Sequence, residues 1–162
     1  MTSWRHWILL NFLKNNMGIS FFVTAYNEYE DLKRLLGQLT QIIKHSDELV
    51  IQLDSKATVE VITLVDEFIL KNKDSILIKK CHFDLNGDFA SFKNNGKSYC
   101  TKEWIFQIDA DETLSETFGT VIHQVLESNE EIDLMSVPRV NIVKGLEQND
   151  VIRWGWQLNN QG

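Results

Sequence analysis

Apolar runs rich in strand-forming residues alternate along this chain with segments whose apolar residues recur at helical spacing. The predicted strands are residues 18–25, 48–53, 75–80, 103–109 and 133–143. The predicted helices are residues 28–44, residues 57–72, a helix capped by Asp88, and one running from Thr113 or Ser115 to about Ser128. Pro138 in the last run indicates an edge strand or a bulge. This alternation predicts an α/β fold, a mostly parallel sheet with helices on both faces.

Composition limits the classes of protein to which the chain can belong. Its 162 residues suffice for one domain, and its net charge of -7 gives no basic surface for a nucleic-acid partner. Cys81 and Cys100 are too few for a disulfide framework or a zinc site. We therefore expect two reduced thiols in a cytoplasmic protein.

The first 16 residues differ in character from the rest of the chain. Their apolar stretch WILLNFL is too short to span a bilayer, and no small-residue cleavage site follows it. We expect residues 1–16 to be an N-terminal extension, with residues 17–162 as the domain. A short amphipathic helix in this extension would contact a membrane surface or the domain itself.

Ligands of parallel sheets bind at the carboxyl ends of the strands, so the polar segments that follow the predicted strands are candidate sites. After the fourth strand come Asp109 and Asp111, whose side chains point the same way in an extended segment. Two close carboxylates repel each other, and a divalent cation removes that penalty. The alternative is a turn or helix cap that binds nothing.

Three further side chains fall at the same predicted edge of the sheet. Tyr26 can stack on a flat ring, Asp54 can accept a hydrogen bond from a base or ribose, and Lys93 can contact phosphate. Each has a structural alternative, respectively a rim residue, a turn residue and a solvated helix-face lysine. Together with the aspartate pair they predict a pocket for a nucleoside diphosphate.

Four segments in order, ISFFVTAYNEYEDLKRLL, LVIQLDSKA, NGDFASFKNNG and WIFQIDADETL, resemble the motifs of family 2 glycosyltransferases of the GT-A fold. Bacterial enzymes that add sugars to lipopolysaccharide core are the nearest resemblance, which covers about residues 18–143. It implies a Rossmann-like domain that binds a UDP-sugar with Mn²⁺ or Mg²⁺. It also implies transfer of the sugar to a saccharide or lipid-linked acceptor.

The resemblance also assigns individual residues. Nucleotide contacts fall on Thr24, Ala25, Tyr26, Glu28, Asp54, Asp88, Lys93, Asp109 and Ala110. Among these, Asp54 matches the aspartate that contacts uracil. Asp109 and Asp111 form the Asp-x-Asp motif, with Asp109 on the ribose side and both assigned to the metal. Lys93 stands where the family commonly has Arg, and lysine keeps the charge but lacks the bidentate fork.

Such transferases also have an acceptor-binding half, which supplies the general base. We expect this half to be missing here, and the sequence nominates no catalytic base. His123 is predicted to be a surface residue, and Glu112 to lie on the opposite side from the metal.

Two alternatives to a transferase remain. One alternative is a nucleotide-sugar-binding module without catalysis. Another is a phosphatase of the haloacid dehalogenase type, with Asp109 as nucleophile and Asp111 as acid and base. About 100 residues precede the motif here, whereas it normally opens that fold.

Overall fold

The computed structural model describes residues 17–129, 131–140, 145 and 147–155. The predicted extension and positions 141–143 of the fifth predicted strand lie outside these ranges. The chain divides into two compact units, with the boundary after residue 130. Within the described residues, no helix is both long enough and apolar enough to cross a membrane.

The first unit contains a four-stranded parallel sheet in the order β3-β2-β1-β4. The strands are β1 (Ile19–Ala25), β2 (Glu48–Asp54), β3 (Ile78–Phe83) and β4 (Trp104–Asp109). Its helices are α1 (Tyr29–Ile42), α2 (Val59–Asn72), α3 (Phe89–Lys97) and α4 (Phe118–Glu127). The second unit contains α5 (Gln148–Trp154). The predicted α/β class with a parallel sheet is confirmed.

The order of the strands explains why helices cover both faces. The chain moves outward from β1 through β2 to β3, and α3 then returns it to the other side of β1. Because parallel crossovers are right-handed, reversing direction moves the connecting helix to the opposite face. Consistent with this, α1 contacts α2 and α4, whereas α3 packs on β1, β2 and β3. The reversal creates a crevice between the carboxyl ends of β1 and β4.

The two central strands are buried along their whole length, as expected for strands covered on both faces. On one face, Phe21 packs edge-on against Phe106, with ring centroids 5.9 Å apart, and Phe106 lies 4.7 Å from Phe118 of α4. On the other face, Phe22 lies beneath Gly96 of α3. A Cβ at position 96 would lie 2.2 Å from the Phe22 ring, so glycine is what allows α3 to approach the sheet this closely.

A buried carboxylate ties the amino ends of the strands to the segment before β4. Glu48 accepts hydrogen bonds from Ser20 Oγ at 2.7 Å and Thr101 Oγ1 at 2.8 Å, and it pairs with Lys79 Nζ at 2.8 Å. Burial by itself would raise the pKa of Glu48. The hydrogen bonds from Lys79, Ser20 and Thr101 outweigh burial and lower that pKa to about 2.

The fifth predicted strand, residues 133–143, is wrong over its described part. Residues 133–140 form no strand, and three of the apolar side chains that suggested one are exposed, with Leu134 at 86%, Val137 at 44% and Val140 at 79%. A strand needs a hydrogen-bonded neighbour, and none of the described strands pairs with this segment. Pro138 also lacks the backbone donor that a ladder would require.

The predicted start of α4 at Thr113 or Ser115 is also wrong. The helix begins later, and its cap position, Thr117, makes no side-chain cap hydrogen bond. Gln38 of α1 explains the delay, since it donates to the carbonyl of Leu114 at 2.9 Å and accepts from the amide of Leu114 at 3.1 Å. These two bonds keep the Leu114 backbone groups out of the helix.

We expect Glu48→Gln to lower the free energy of unfolding at neutral pH by about 3 kcal/mol. The pKa falls from 4.5 to about 2 in the folded protein, and each pKa unit corresponds to about 1.4 kcal/mol. Because folding lowers the pKa, the stabilisation is complete above about pH 4.5 and is lost as pH falls towards 2.

Urea unfolding of parent and variant at about pH 7 and about pH 3 measures this difference. The exposed Glu67 is the matched control, and Glu67→Gln should change stability by less than about 0.5 kcal/mol. If Glu48→Gln lowers the free energy of unfolding equally at both pH values, the lowered pKa of Glu48 is not the source of the stabilisation.

Candidate functional site

A cleft of about 680 Å³ lies at the carboxyl ends of the strands. Segments that follow all four strands contribute to it, together with the first turns of α3. Apart from Asp88, all the site residues named from the sequence line this cleft: Thr24, Ala25, Tyr26, Glu28, Asp54, Lys93, Asp109, Ala110 and Asp111. The fold thus brings together side chains that are up to 87 positions apart in the sequence.

Three side chains meet where β1 and β4 end. Thr24 and Asp109 are register partners, and Thr24 Oγ1 donates to Asp109 Oδ1 at 2.7 Å. Lys93 reaches this point from α3, donating to Thr24 Oγ1 at 2.7 Å and forming an ion pair with Asp109 Oδ1. The Lys93 side chain is only 19% exposed. The alternative of a solvated helix-face lysine is therefore wrong.

The turn after β4 fixes the backbone of the aspartate pair. The amide of Asp109 donates to Glu112 Oε2 at 2.9 Å, and the amide of Glu112 donates to the carbonyl of Asp109 at 3.0 Å. The amide of Ala110 donates to the carbonyl of Thr24 at 3.1 Å, which extends the contact between β1 and β4. Glu112 is not a cleft-lining residue, whereas Asp111 is exposed on the cleft wall.

A second carboxylate organises the loop after β1. Glu28 Oε2 accepts from the amides of Tyr26 at 2.7 Å and Asn27 at 3.0 Å. The carbonyl of Tyr26 accepts from the amide of Thr58, which precedes α2. These bonds hold the backbone while the Tyr26 ring remains 46% exposed in the cleft. Phe89, 65% exposed, supplies a second aromatic ring to the lining.

Asp54 links two loops on the β2 and β3 side of the cleft. Its Oδ1 accepts from the amide of Lys56 at 2.7 Å, and its Oδ2 accepts from the amide of Leu85 at 3.0 Å. The loop that contains Leu85 turns through Asn86 and Gly87, whose φ angles are 39° and 77°. The Asp54 side chain therefore stabilises the two loops that form this wall of the cleft, with or without a bound ligand.

Asp88 caps α3 and does not line the cleft. Its Oδ1 accepts from the amide of Ser91 at 2.9 Å, so the predicted cap is confirmed. The same hydrogen bond lowers the pKa of this exposed carboxyl. Its predicted role as a nucleotide contact stays a prediction.

Four cleft-lining residues between β3 and the first turn of α3 received no role from the sequence, although the motif NGDFASFKNNG begins at Asn86. They are Leu85, Asn86, Gly87 and Phe89. The Asn-Gly pair is a strong turn signal, and its position after a strand could have indicated a further segment at the ligand-binding edge.

His123 lies at the opposite end of the sheet, and its predicted surface position is wrong. It is 5% exposed, and its Nε2 lies 2.8 Å from Oδ2 of the buried Asp47. Asp47 also accepts from the amides of Ile19 and Lys44. The pair joins α4 to the segment before β2, across 76 positions of sequence.

The cleft offers hard oxygen donors for a divalent cation. The carboxylates of Asp109 and Asp111 both line it, and such oxygens are the ligands that Mg²⁺ and Mn²⁺ prefer. Over the part of the chain that the structure describes, no group of three His, Cys, Asp or Glu side chains is placed to hold a metal. These residues therefore fit a cation only if a ligand or water completes its coordination.

Comparison with known proteins agrees with this architecture. The family model described as glycosyl transferase family 2 matches residues 20–160, so the chain belongs to that family. A crystal structure of S. aureus TarS, residues 1–349, superposes with a TM-score of 0.61 at 16% sequence identity. The match covers 76% of this chain and 39% of that one, so this chain spans about two-fifths of its length. No curated protein matches the chain.

The predicted GT-A fold is confirmed by these matches. Membership of the family also excludes the alternative of a haloacid dehalogenase-type phosphatase. Asp109 ends β4, the fourth of the described strands along the chain, and Asp111 follows it, whereas the phosphatase motif would follow the first strand.

We expect Asp54→Ala to loosen the two loops that this carboxylate joins. The backbone amides of Lys56 and Leu85, which bond Asp54 in part-buried contacts, lose their acceptor, and the free energy of unfolding should fall by about 1–3 kcal/mol. Hydrogen exchange at the amides of Lys56 and Leu85 should accelerate in the variant.

Asp84→Ala is the matched control, since Asp84 lies in the same wall and pairs with Lys56 in an exposed contact of 3.4 Å. It should cost less than about 1 kcal/mol and leave both amides protected. Unchanged exchange in Asp54→Ala would show that the loops are held by other contacts.

Proposed function

We propose that this chain binds a UDP-sugar with a divalent cation and acts in transfer of the sugar to a saccharide or lipid-linked acceptor. The observation that carries the proposal is the cluster of Lys93, Thr24 and Asp109 beside Asp111, at the carboxyl ends of β1 and β4. The cluster lies at a topological switch point of the sheet, where ligands of parallel sheets bind. The ammonium group of Lys93 suits a diphosphate directly, and the two carboxylates suit it through a divalent metal ion. Membership of glycosyltransferase family 2 favours a nucleotide-sugar as that ligand.

The base would lie against the exposed aromatic rings of the cleft. Tyr26 and Phe89 both present ring surface there, and a flat base gains by stacking on such a ring. Asp54 can accept a hydrogen bond from the imide N–H of uracil, because each carboxylate oxygen has a second lone pair beside its bond to a backbone amide. Cytosine has no such N–H. Thr24, Ala25 and Glu28 form and hold the adjoining loop.

The diphosphate would lie near Lys93, with Asp109 on the ribose side and Asp111 towards the metal. The lysine supplies a point charge to phosphate oxygens. Asp109 and Asp111 would supply carboxylate ligands for Mn²⁺ or Mg²⁺. When bound, the cation acts as a Lewis acid that offsets charge on the departing diphosphate.

A module that binds the donor without catalysing transfer is the second candidate. No histidine is among the described residues that line the cleft, and the carboxylates of Glu28 and Asp54 are bonded to backbone amides. Neither is placed as a free general base. UDP release with a panel of saccharide acceptors separates the two candidates, since turnover requires an activated hydroxyl.

Calorimetric titration with UDP should show at least tenfold tighter binding in Mn²⁺ than in EDTA. The physical reason is that the cation neutralises both the paired carboxylates and the diphosphate. Asp111→Ala should abolish the difference. Asp84→Ala, which removes another carboxylate of the same cleft, should preserve it. Equal UDP affinity with and without metal in the unaltered protein would exclude the metal from donor binding.

UDP should also bind at least about tenfold more tightly than CDP, whose base lacks the N–H donor, and this is the scale of one hydrogen bond to a charged group. Asp54→Asn keeps the shape of the side chain and should reduce the ratio of UDP to CDP affinity. The ratio is the appropriate measure because a loosened loop lowers both affinities together. CDP binding as tightly as UDP would show that Asp54 does not select uracil.

A further inference from the structure

A single carboxylate oxygen accepts two donors at the centre of the cleft. Asp109 Oδ1 receives a hydrogen bond from Thr24 Oγ1 and forms the ion pair with the ammonium group of Lys93. Lys93 also donates to Thr24 Oγ1, so the ammonium is held by two groups from neighbouring strands. The side chain of Asp109 is 46% exposed and faces the cleft. The ammonium thus lies on one of the two carboxylates that the proposed function assigns to the metal.

Lys93 and a divalent cation cannot share this oxygen favourably. A divalent cation coordinates carboxylate oxygen at about 2.0–2.6 Å, and an ammonium bonds it at about 2.8 Å, so the two would lie within about 5 Å of each other. Together they carry three positive charges, against two negative charges on Asp109 and Asp111. The repulsion at that separation is strong in a partly desolvated cleft.

We propose that Lys93 and the divalent cation compete for Asp109, and that a diphosphate ends the competition by taking over the ammonium. The inference rests on the proposed function. Phosphate oxygens offer Lys93 a stronger anionic partner, and its flexible four-carbon stem lets the ammonium move between partners. The ammonium then no longer competes with the cation for Asp109. Metal alone binds weakly, metal and UDP bind strongly together, and each raises the affinity of the other by the same factor.

A second lysine of the cleft provides the matched control. Lys56 lines the same cleft but pairs with Asp84, at 3.4 Å, in an exposed contact. Removing its charge changes the net charge of the cleft by the same amount as removing that of Lys93. It does not release Asp109. A general electrostatic effect would therefore appear in both variants, and competition for Asp109 only in one.

The probe is Mn²⁺ alone, titrated by electron paramagnetic resonance of the free ion without nucleotide. Lys93→Met should bind Mn²⁺ about tenfold or more tightly than the unaltered protein, a change of about 1.4 kcal/mol. Lys56→Met should change the affinity by less than about twofold, and Lys93→Arg, which retains the charge, should leave it weak. Adding Asp109→Asn to Lys93→Met should remove the gain. Saturating UDP should raise Mn²⁺ affinity strongly in the unaltered protein and much less in Lys93→Met.

Thermal unfolding verifies that each variant is folded, and Lys93→Gln replaces Lys93→Met if the latter is not. A folded variant without the Lys93 charge that binds Mn²⁺ no better than the unaltered protein overturns the competition. If UDP and Mn²⁺ still bind cooperatively to the unaltered protein, the proposed function survives that result. An equal gain in Lys56→Met also overturns the competition. Absence of Mn²⁺ binding in every variant, with and without UDP, overturns both proposals.

Discussion

The position of β1 between β2 and β4 determines the rest of the structure. β1 is hydrogen-bonded to a parallel neighbour on each side, and both faces of the strand are buried. A chain that has extended the sheet in one direction must cross back over it to fill the other side, and α3 makes that crossing. The crossing leaves the ends of β1 and β4 adjacent and uncovered by a direct loop. Thr24 and Asp109 are thereby brought into contact, and Lys93 is delivered to them from α3.

Carboxylates that bind backbone amides shape both ends of this sheet. At the amino ends, Asp47 and Glu48 are buried and accept from the backbone of neighbouring segments. At the carboxyl ends, Glu28 and Asp54 do the same for the loops that form the cleft. Each such carboxylate satisfies amides that a loop would otherwise leave without partners. An acidic residue at a strand end is consequently not evidence of ligand binding until its hydrogen bonds are known.

The distance in sequence between contacting residues determines which features of the fold the sequence could predict. The alternation of apolar runs and helical spacing is a local signal, and it located β1, β2, β4 and the edge of the sheet where Asp109 and Asp111 lie. It placed the third strand, predicted at residues 75–80, three residues before the observed β3. The start of α4 depends on the contact of Gln38 with Leu114, and the burial of His123 depends on Asp47. Both contacts join residues 76 positions apart, so no pattern within a short window contains them. The strand prediction for residues 133–140 is wrong for a related reason, since this apolar segment has no pairing strand among the described ones.

The ion pair of Lys93 with Asp109 gives a physical reason for a lysine at this position. An arginine guanidinium at this position would bind a carboxylate with two parallel bonds. A lysine forms a contact that depends less on orientation and can leave Asp109 without breaking a bidentate pair. In a chain with a net charge of -7 and several carboxylates around one cleft, it also keeps Asp109 neutralised. The same side chain therefore holds Asp109 at the crevice and carries a charge suited to an anionic ligand.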